Sequence, residues 1–151
     1  MSSYKLVTYQ SPKGPRAGIV VDEKLFDAAA LTRKAAYASM LDIINDWSSA
    51  KGTLKKAAAA AAKSKLKSSP VAKAKLLPPV MYPSAIYCAG ANYTDHMMEM
   101  AKLLGIPPAP DPHDVGLKPW HFIKASRTVV GDKATVKLPA ASKAIDWEAE
   151  L

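Results

Sequence analysis

The segment Asn92-Tyr-Thr-Asp-His-Met-Met-Glu99 brings together an imidazole and two acids. His96 and Glu99 are three residues apart, and on a helix that spacing lets their side chains meet. A carboxylate that hydrogen-bonds an imidazole fixes its tautomer and raises its basicity, which suits a general base acting on water. The same residues, with Asp95 and Lys102 beside them, also fit an ordinary solvated helix face. Both readings stand on the pattern alone.

A second cluster is Asp146-Trp-Glu-Ala-Glu-Leu151. In a strand, residues two apart share a face. Asp146, Glu148 and Glu150 therefore point one way, and Trp147, Ala149 and Leu151 the other. A row of carboxylates is tolerable if water or a cation meets it. Oxygen-only donors select hard ions such as Mg²⁺, Mn²⁺ or Ca²⁺ over zinc. A polar edge strand fits the pattern equally well.

Other chemistry-bearing residues carry less. His113 and His121 flank a proline-rich loop without metal-ligand spacing, and read as surface or hydrogen-bonding histidines. Cys88 is the single cysteine and lies in an apolar run. It excludes a disulfide framework, a Cys-based zinc finger and a CxxC redox pair. Lys51 to Lys75 holds eight lysines and no acid. Without interleaved aromatic residues or a binding motif, this reads as a solvated face, and a nucleic-acid-binding module is the alternative from another functional class.

The elements that position these groups follow from periodicity. Residues 4–10, 17–21 and the start at Leu25-Phe26 read as a small antiparallel sheet, with turns at Ser11–Pro15 and Asp22–Lys24. Leu31, Ala35, Ala38, Leu41, Ile43 and Ile44 recur at helical spacing, with Thr32 as the expected cap and an end near Trp47. Gly52 separates this helix from a second, Thr53 to about Lys67, centred on six consecutive alanines. Alanine favours helix but offers little area to bury, so this helix is expected to be peripheral and the least protected element. Ser68-Ser69-Pro70 stops it, and Leu76–Pro83 forms an extended connector. Residues 85–89 read as a strand ended by Gly90. Tyr93, Met97, Met100, Ala101 and Leu104 make one helical stripe closed by Gly105. Pro107 to Pro119 is a long loop. Further strand signals lie at Phe122–Lys124, Thr128–Val130, Ala134–Leu138 and Ile145–Leu151.

Composition is divided along the chain. Of 151 residues, 1–82 hold 14 Lys/Arg against 5 Asp/Glu, whereas 83–151 hold 7 against 8. The net charge of +8 is thus an N-terminal property. With the proline-rich connector, this places a domain boundary near residues 78–83. No run approaches the ~20 apolar residues of a membrane-spanning helix. No secretory h-region is read in Met1–Gln10, and the expected compartment is the reducing cytoplasm.

Taken together, Tyr87-Cys-Ala-Gly-Ala-Asn-Tyr-Thr-Asp-His-Met-Met-Glu99, Phe122-Ile-Lys124, Leu138-Pro139 and Asp146-Trp-Glu-Ala-Glu-Leu151 resemble the fumarylacetoacetate hydrolase family, in its order and with similar spacing. Leu76-Leu-Pro-Pro-Val80 resembles that family's entry into its catalytic domain. The resemblance covers about residues 76–151 and is looser before them. It implies an α+β fold: a small N-terminal α/β domain over residues 1–77, then from 78 to 151 the beginning of a mixed β-roll. It implies that Glu148 and Glu150 are two of three carboxylates holding Mg²⁺ or Mn²⁺. His96 and Glu99 become a dyad on a lid segment that activates water, and Lys124 meets a substrate carboxylate or enolate.

Where the founding hydrolase has a metal-binding carboxylate, this chain has Asn92. It therefore looks closer to the branch acting on acylpyruvates and other 2-oxo acids. The expected activity is divalent-metal-dependent hydrolysis of a C–C bond in a 2,4-dioxo acid. Decarboxylase, isomerase or hydratase activity from the same residues is the alternative. The expected partners are a small-molecule substrate and a second copy in a homodimer, with no nucleic acid and no membrane. The chain stops at Leu151, inside the expected metal strand, so it is expected to be the N-terminal piece of a longer protein, or to be completed by a second chain.

Overall fold

The computed structural model describes residues 3–90, 93–118 and 120–143. It divides into two compact units: Met1–Pro83 with Arg127–Thr135, and Ser84–Ser126 with Val136–Leu151. Helices and antiparallel sheets are both present, which makes the architecture α+β.

The first unit opens with strands β1 (Lys5–Ser11), β2 (Gly14–Val21) and β3 (Lys24–Asp27), an antiparallel meander. The β2–β3 loop has only Asp22 and Glu23 between the paired residues Val21 and Lys24, and both have positive φ. That is the backbone a two-residue hairpin requires to match strand twist. The first turn is held by the Ser11 hydroxyl, which donates to the Gly14 carbonyl at 2.8 Å.

Among the described residues, α-helices follow in chain order, the first three in this unit. They are α1 (Ala28–Thr32), α2 (Met40–Asn45) and α3 (Trp47–Ala60). The single helix expected from Leu31 to Trp47 is instead broken into α1, a 3₁₀ turn at Ala35–Ala38 and α2. Local capping explains the break. Asp27 accepts from the Ala30 amide and starts α1, and Ser39 accepts from the Asp42 amide and starts α2. Such side chains stabilise helix starts and interrupt a continuous helix. Thr32 does not cap a start; its hydroxyl donates back to the Ala28 carbonyl at 2.7 Å, and Arg33 at φ 57° closes α1.

The alanine-rich helix is not peripheral. Ala50, Leu54, Ala57, Ala58 and Ala61 are buried, a continuous stripe at helical spacing. With Ala17, Ile19 and Val21 of β2, and Phe26, Tyr37, Met40 and Ile43, most of this stripe forms the core. Small side chains let the helix approach the sheet closely, so alanine contributes through proximity rather than area. Gly52 lies inside α3 without breaking it, and its surroundings are open.

Residues 69–80 then wrap the sheet. Strand β4 (Ser69–Pro70) pairs with β3. On the opposite edge, the Gln10 amide donates to the Lys75 carbonyl and the Leu77 amide to the Thr8 carbonyl. Thr8 Oγ1 donates to the Pro79 carbonyl at 2.8 Å, and Val80 packs against the core. The outer strands of the β1–β3 meander thereby each gain a backbone partner, which shortens their free edges. Near Arg127–Thr135, the Arg127 guanidinium lies 4.6 Å from the Tyr82 ring centre.

The second unit contains strand β5 (Ile86–Ala89), helix α4 (Thr94–Leu104) and strand β6 (His121–Lys124). The strands expected at 128–130 and 134–138 do not form. Ser126–Thr128 is a 3₁₀ turn, and residues 129–138 have no strand partner among the described residues. At Gly131 the backbone packs so closely on that of Leu76 and Leu77 that a Cβ would lie 2.8 Å from the Leu76 carbonyl oxygen. The strand expected at 145–151 lies outside the described residues.

Candidate active site

Strands β5 and β6 pair antiparallel in the register Ile86 with Lys124, Tyr87 with Ile123, Cys88 with Phe122 and Ala89 with His121. The Gly90 amide extends the ladder to the Trp120 carbonyl. Residues directly opposite share a face. Gly90, Cys88 and Ile86 therefore lie on the same face as Trp120, Phe122 and Lys124.

Helix α4 begins after Tyr93. Asp95, in its first turn, accepts from the His96 amide at 2.9 Å, where a negative charge also suits the helix dipole. At the other end Gly105 adopts φ 64°, its amide bonds to the Lys102 carbonyl, and the Ile106 amide bonds to the Ala101 carbonyl. This pair of bonds is the Schellman closure, which needs a left-handed residue at the position of Gly105. The helix thus carries His96, half-buried, and Glu99, exposed, three residues apart. Lys124 stands on a separate element, β6, with its ammonium 5.5 Å from the Phe122 ring centre.

Glu148 and Glu150 lie outside the described residues, as does Asn92. Among the described residues, no group of three His, Cys, Asp or Glu side chains could hold a metal ion. By donor chemistry, the two glutamates suit a hard divalent ion. His113 lies in the loop after α4, where its ring Nδ1 is 2.9 Å from Asp111 Oδ1. The His113 amide and then its ring hold the Asp111 carboxyl below its ordinary value. His121 is exposed on the face opposite Lys124.

Trp120 belongs to no motif in the sequence. It packs across Gly90, thirty residues earlier, and that neighbour becomes apparent only once the strands are paired.

Residues 85–151 match the family model described as fumarylacetoacetate (FAA) hydrolase C-terminal. Over that segment the chain is similar to the fumarylacetoacetate hydrolase family. Among curated relatives, a mitochondrial oxaloacetate tautomerase of Rattus norvegicus is 29% identical over 97% of this chain and 43% of its own length. A mitochondrial oxaloacetate tautomerase of Xenopus laevis is 36% identical over 50% of this chain and 20% of its own. One of Homo sapiens is 34% identical over 54% and 23%. The chain spans less than half the length of these relatives. No solved structure matches. Among the described residues, no helix is long and apolar enough to cross a membrane.

Proposed function

We propose that this chain belongs to the fumarylacetoacetate hydrolase family and contributes to an enzyme that interconverts the enol and keto forms of a 2-oxo acid. The supporting observation is that the matched segment, residues 85–151, contains β5, α4 and β6, and with them His96, Glu99 and Lys124. The relatives named as oxaloacetate tautomerases favour this over the C–C hydrolysis expected from the sequence.

Tautomerisation moves one proton between C3 and the enol oxygen and consumes no water, so a positioned base and acid suffice. In this reading the His96 imidazole removes the proton at one atom and returns it at the other. Glu99, one helical turn on, supports the charged imidazole. The Lys124 ammonium holds the substrate carboxylate. Glu148 and Glu150 would hold Mg²⁺ or Mn²⁺, which when bound supplies positive charge to the oxygens of the 2-oxo acid. Strands β5 and β6 would open the family's β-roll, a homodimer is the proposed assembly, and the cytoplasm is the proposed compartment.

The test uses the intact natural protein carrying this sequence. Enol–keto exchange of oxaloacetate and cleavage of an acylpyruvate are each followed in Mg²⁺ and in EDTA. Accelerated exchange that EDTA abolishes, without acylpyruvate cleavage, is the expected result. Cleavage without accelerated exchange would restore the hydrolase reading and overturn this one.

A further inference from the structure

Trp120, Phe122 and Lys124 form a row on one face of the β5–β6 pair. A Cβ built on Gly90 would lie 2.1 Å from the Trp120 ring, so the indole occupies the space that any side chain at 90 would take. The absence of a side chain seats the indole against backbone, yet the residue remains 59% exposed. Phe122 is 39% exposed, and the two ring centres are 6.3 Å apart with a 39° tilt. That separation is about one two-residue step of a strand, ~6.6 Å. The Lys124 ammonium follows at 5.5 Å from the Phe122 ring. The row is thus two open aromatic rings leading to a positive charge.

We propose that Trp120 determines specificity at this face, selecting a 2-oxo acid with an aromatic or other apolar substituent. The acid's carboxylate meets Lys124, and its substituent lies along Phe122 toward Trp120. This rests on the reading of Lys124 as a substrate-binding residue and narrows it to a substrate class. Charge argues for such a ligand over a dicarboxylate. Among Gly90, Cys88, Ile86, Trp120, Phe122 and Lys124, the lysine is the one cation, so among these six residues a second carboxylate would meet no second positive charge. An apolar substituent at the Trp120 end would cover ring surface that otherwise faces water. Both rings have few rotatable bonds, so little freedom is lost on binding.

The experiment compares the intact natural protein with Trp120→Ala and Trp120→Phe, using phenylpyruvate and oxaloacetate as paired tautomerisation substrates. For Trp120→Ala, the ratio of kcat/KM for phenylpyruvate to that for oxaloacetate is expected to fall about tenfold, mainly through KM, as loss of one aromatic contact predicts. Trp120→Phe is expected to restore most of the ratio. A ratio within twofold of the parent in Trp120→Ala, including a parallel fall for both substrates, overturns the proposal. If neither acid is turned over, the tautomerase reading has failed, and the selectivity is read from binding. Kd values for 3-phenylpropanoate and propanoate, measured by ligand-observed NMR, give the equivalent ratio in the parent and in Trp120→Ala. A fall supports the proposal and an unchanged ratio overturns it.

Discussion

The Tyr37 hydroxyl donates a 2.5 Å hydrogen bond to Asp46 Oδ2, joining the 3₁₀ turn after α1 to the residue that precedes α3. Tyr37 is 1% exposed, and the Lys34 ammonium approaches its oxygen at 3.1 Å. The ring belongs to the core while its oxygen reaches the polar surface, so one side chain does two separable things. Tyr37→Phe keeps the ring and removes the bond, and is expected to lower the urea midpoint modestly. Tyr37→Ala removes both and is expected to cost about 3–5 kcal/mol. Equal losses for the two variants would show that the ring contributes nothing beyond the hydroxyl.

Asp27 gives the N-terminal sheet an acid-sensitive joint. Both of its carboxylate oxygens bond the Arg16 guanidinium, and it also accepts from the Tyr9 hydroxyl and the Ala30 amide. Burial alone would raise its pKa, but the bonds from Arg16, Ala30 and Tyr9 outweigh it and hold the carboxyl below its ordinary value of 3.8. Burial, and then the Asp27 charge, push the Tyr9 hydroxyl up. A carboxyl depressed in the folded state contributes stability above its unfolded value and loses it as pH falls through the folded one. The contribution should therefore be complete at neutral pH, begin to fall below about pH 4 and disappear as pH drops through the lower folded value. Asp27→Asn can still cap α1 but cannot pair with Arg16 as an ion. It is expected to cost about 1–3 kcal/mol at pH 7 and to flatten the acid limb of the urea midpoint against pH. An unchanged limb would assign the acid response to other carboxyls.

Helix α3 allows its buried and solvent faces to be tested separately. Leu54 is fully buried within the alanine stripe, so Leu54→Ala is expected to cost about 2–5 kcal/mol. Gly52 faces open space on the same helix, and Gly52→Ala is expected to add about 0.5–1 kcal/mol through lower freedom of the unfolded chain. Amide exchange at Leu54 and Ala58 should be among the slowest in the unit, because both sit in its core. Fast exchange there would return the helix to the periphery.

What was legible depended on how local the deciding interaction is. The Asp22-Glu23 turn and the Gly105 closure are set by residues within a few positions of each other, and both are visible in the chain. The breaks at Asp27 and Ser39 are also local, but apolar periodicity ran across them and masked the capping residues. Burial of Ala50, Ala57, Ala58 and Ala61 depends on the sheet opposite, which an alanine count cannot reveal. Thr128–Val130 and Ala134–Leu138 have strand composition without a strand to pair with among the described residues. The spacing of His96 and Glu99 on a helix and the placement of Lys124 in a strand could be read from the chain. The Trp120–Gly90 packing could not, since it depends on a pairing between residues thirty apart.

The site residues predict three different kinetic signatures, and their difference is the argument for separate roles. His96 is assigned the proton, so His96→Gln is expected to lower kcat for 2-oxo acid tautomerisation by about 10²–10⁴-fold with KM nearly unchanged. Lys124 is assigned the carboxylate, so Lys124→Met is expected to act first on KM. Glu148 is assigned the ion, so Glu148→Ala is expected to abolish Mn²⁺ binding by calorimetry, while His96→Gln leaves it in place. If all three variants lost metal binding and turnover together while remaining folded by circular dichroism, the division of labour would be wrong, because a base on a helix has no reason to carry the ion.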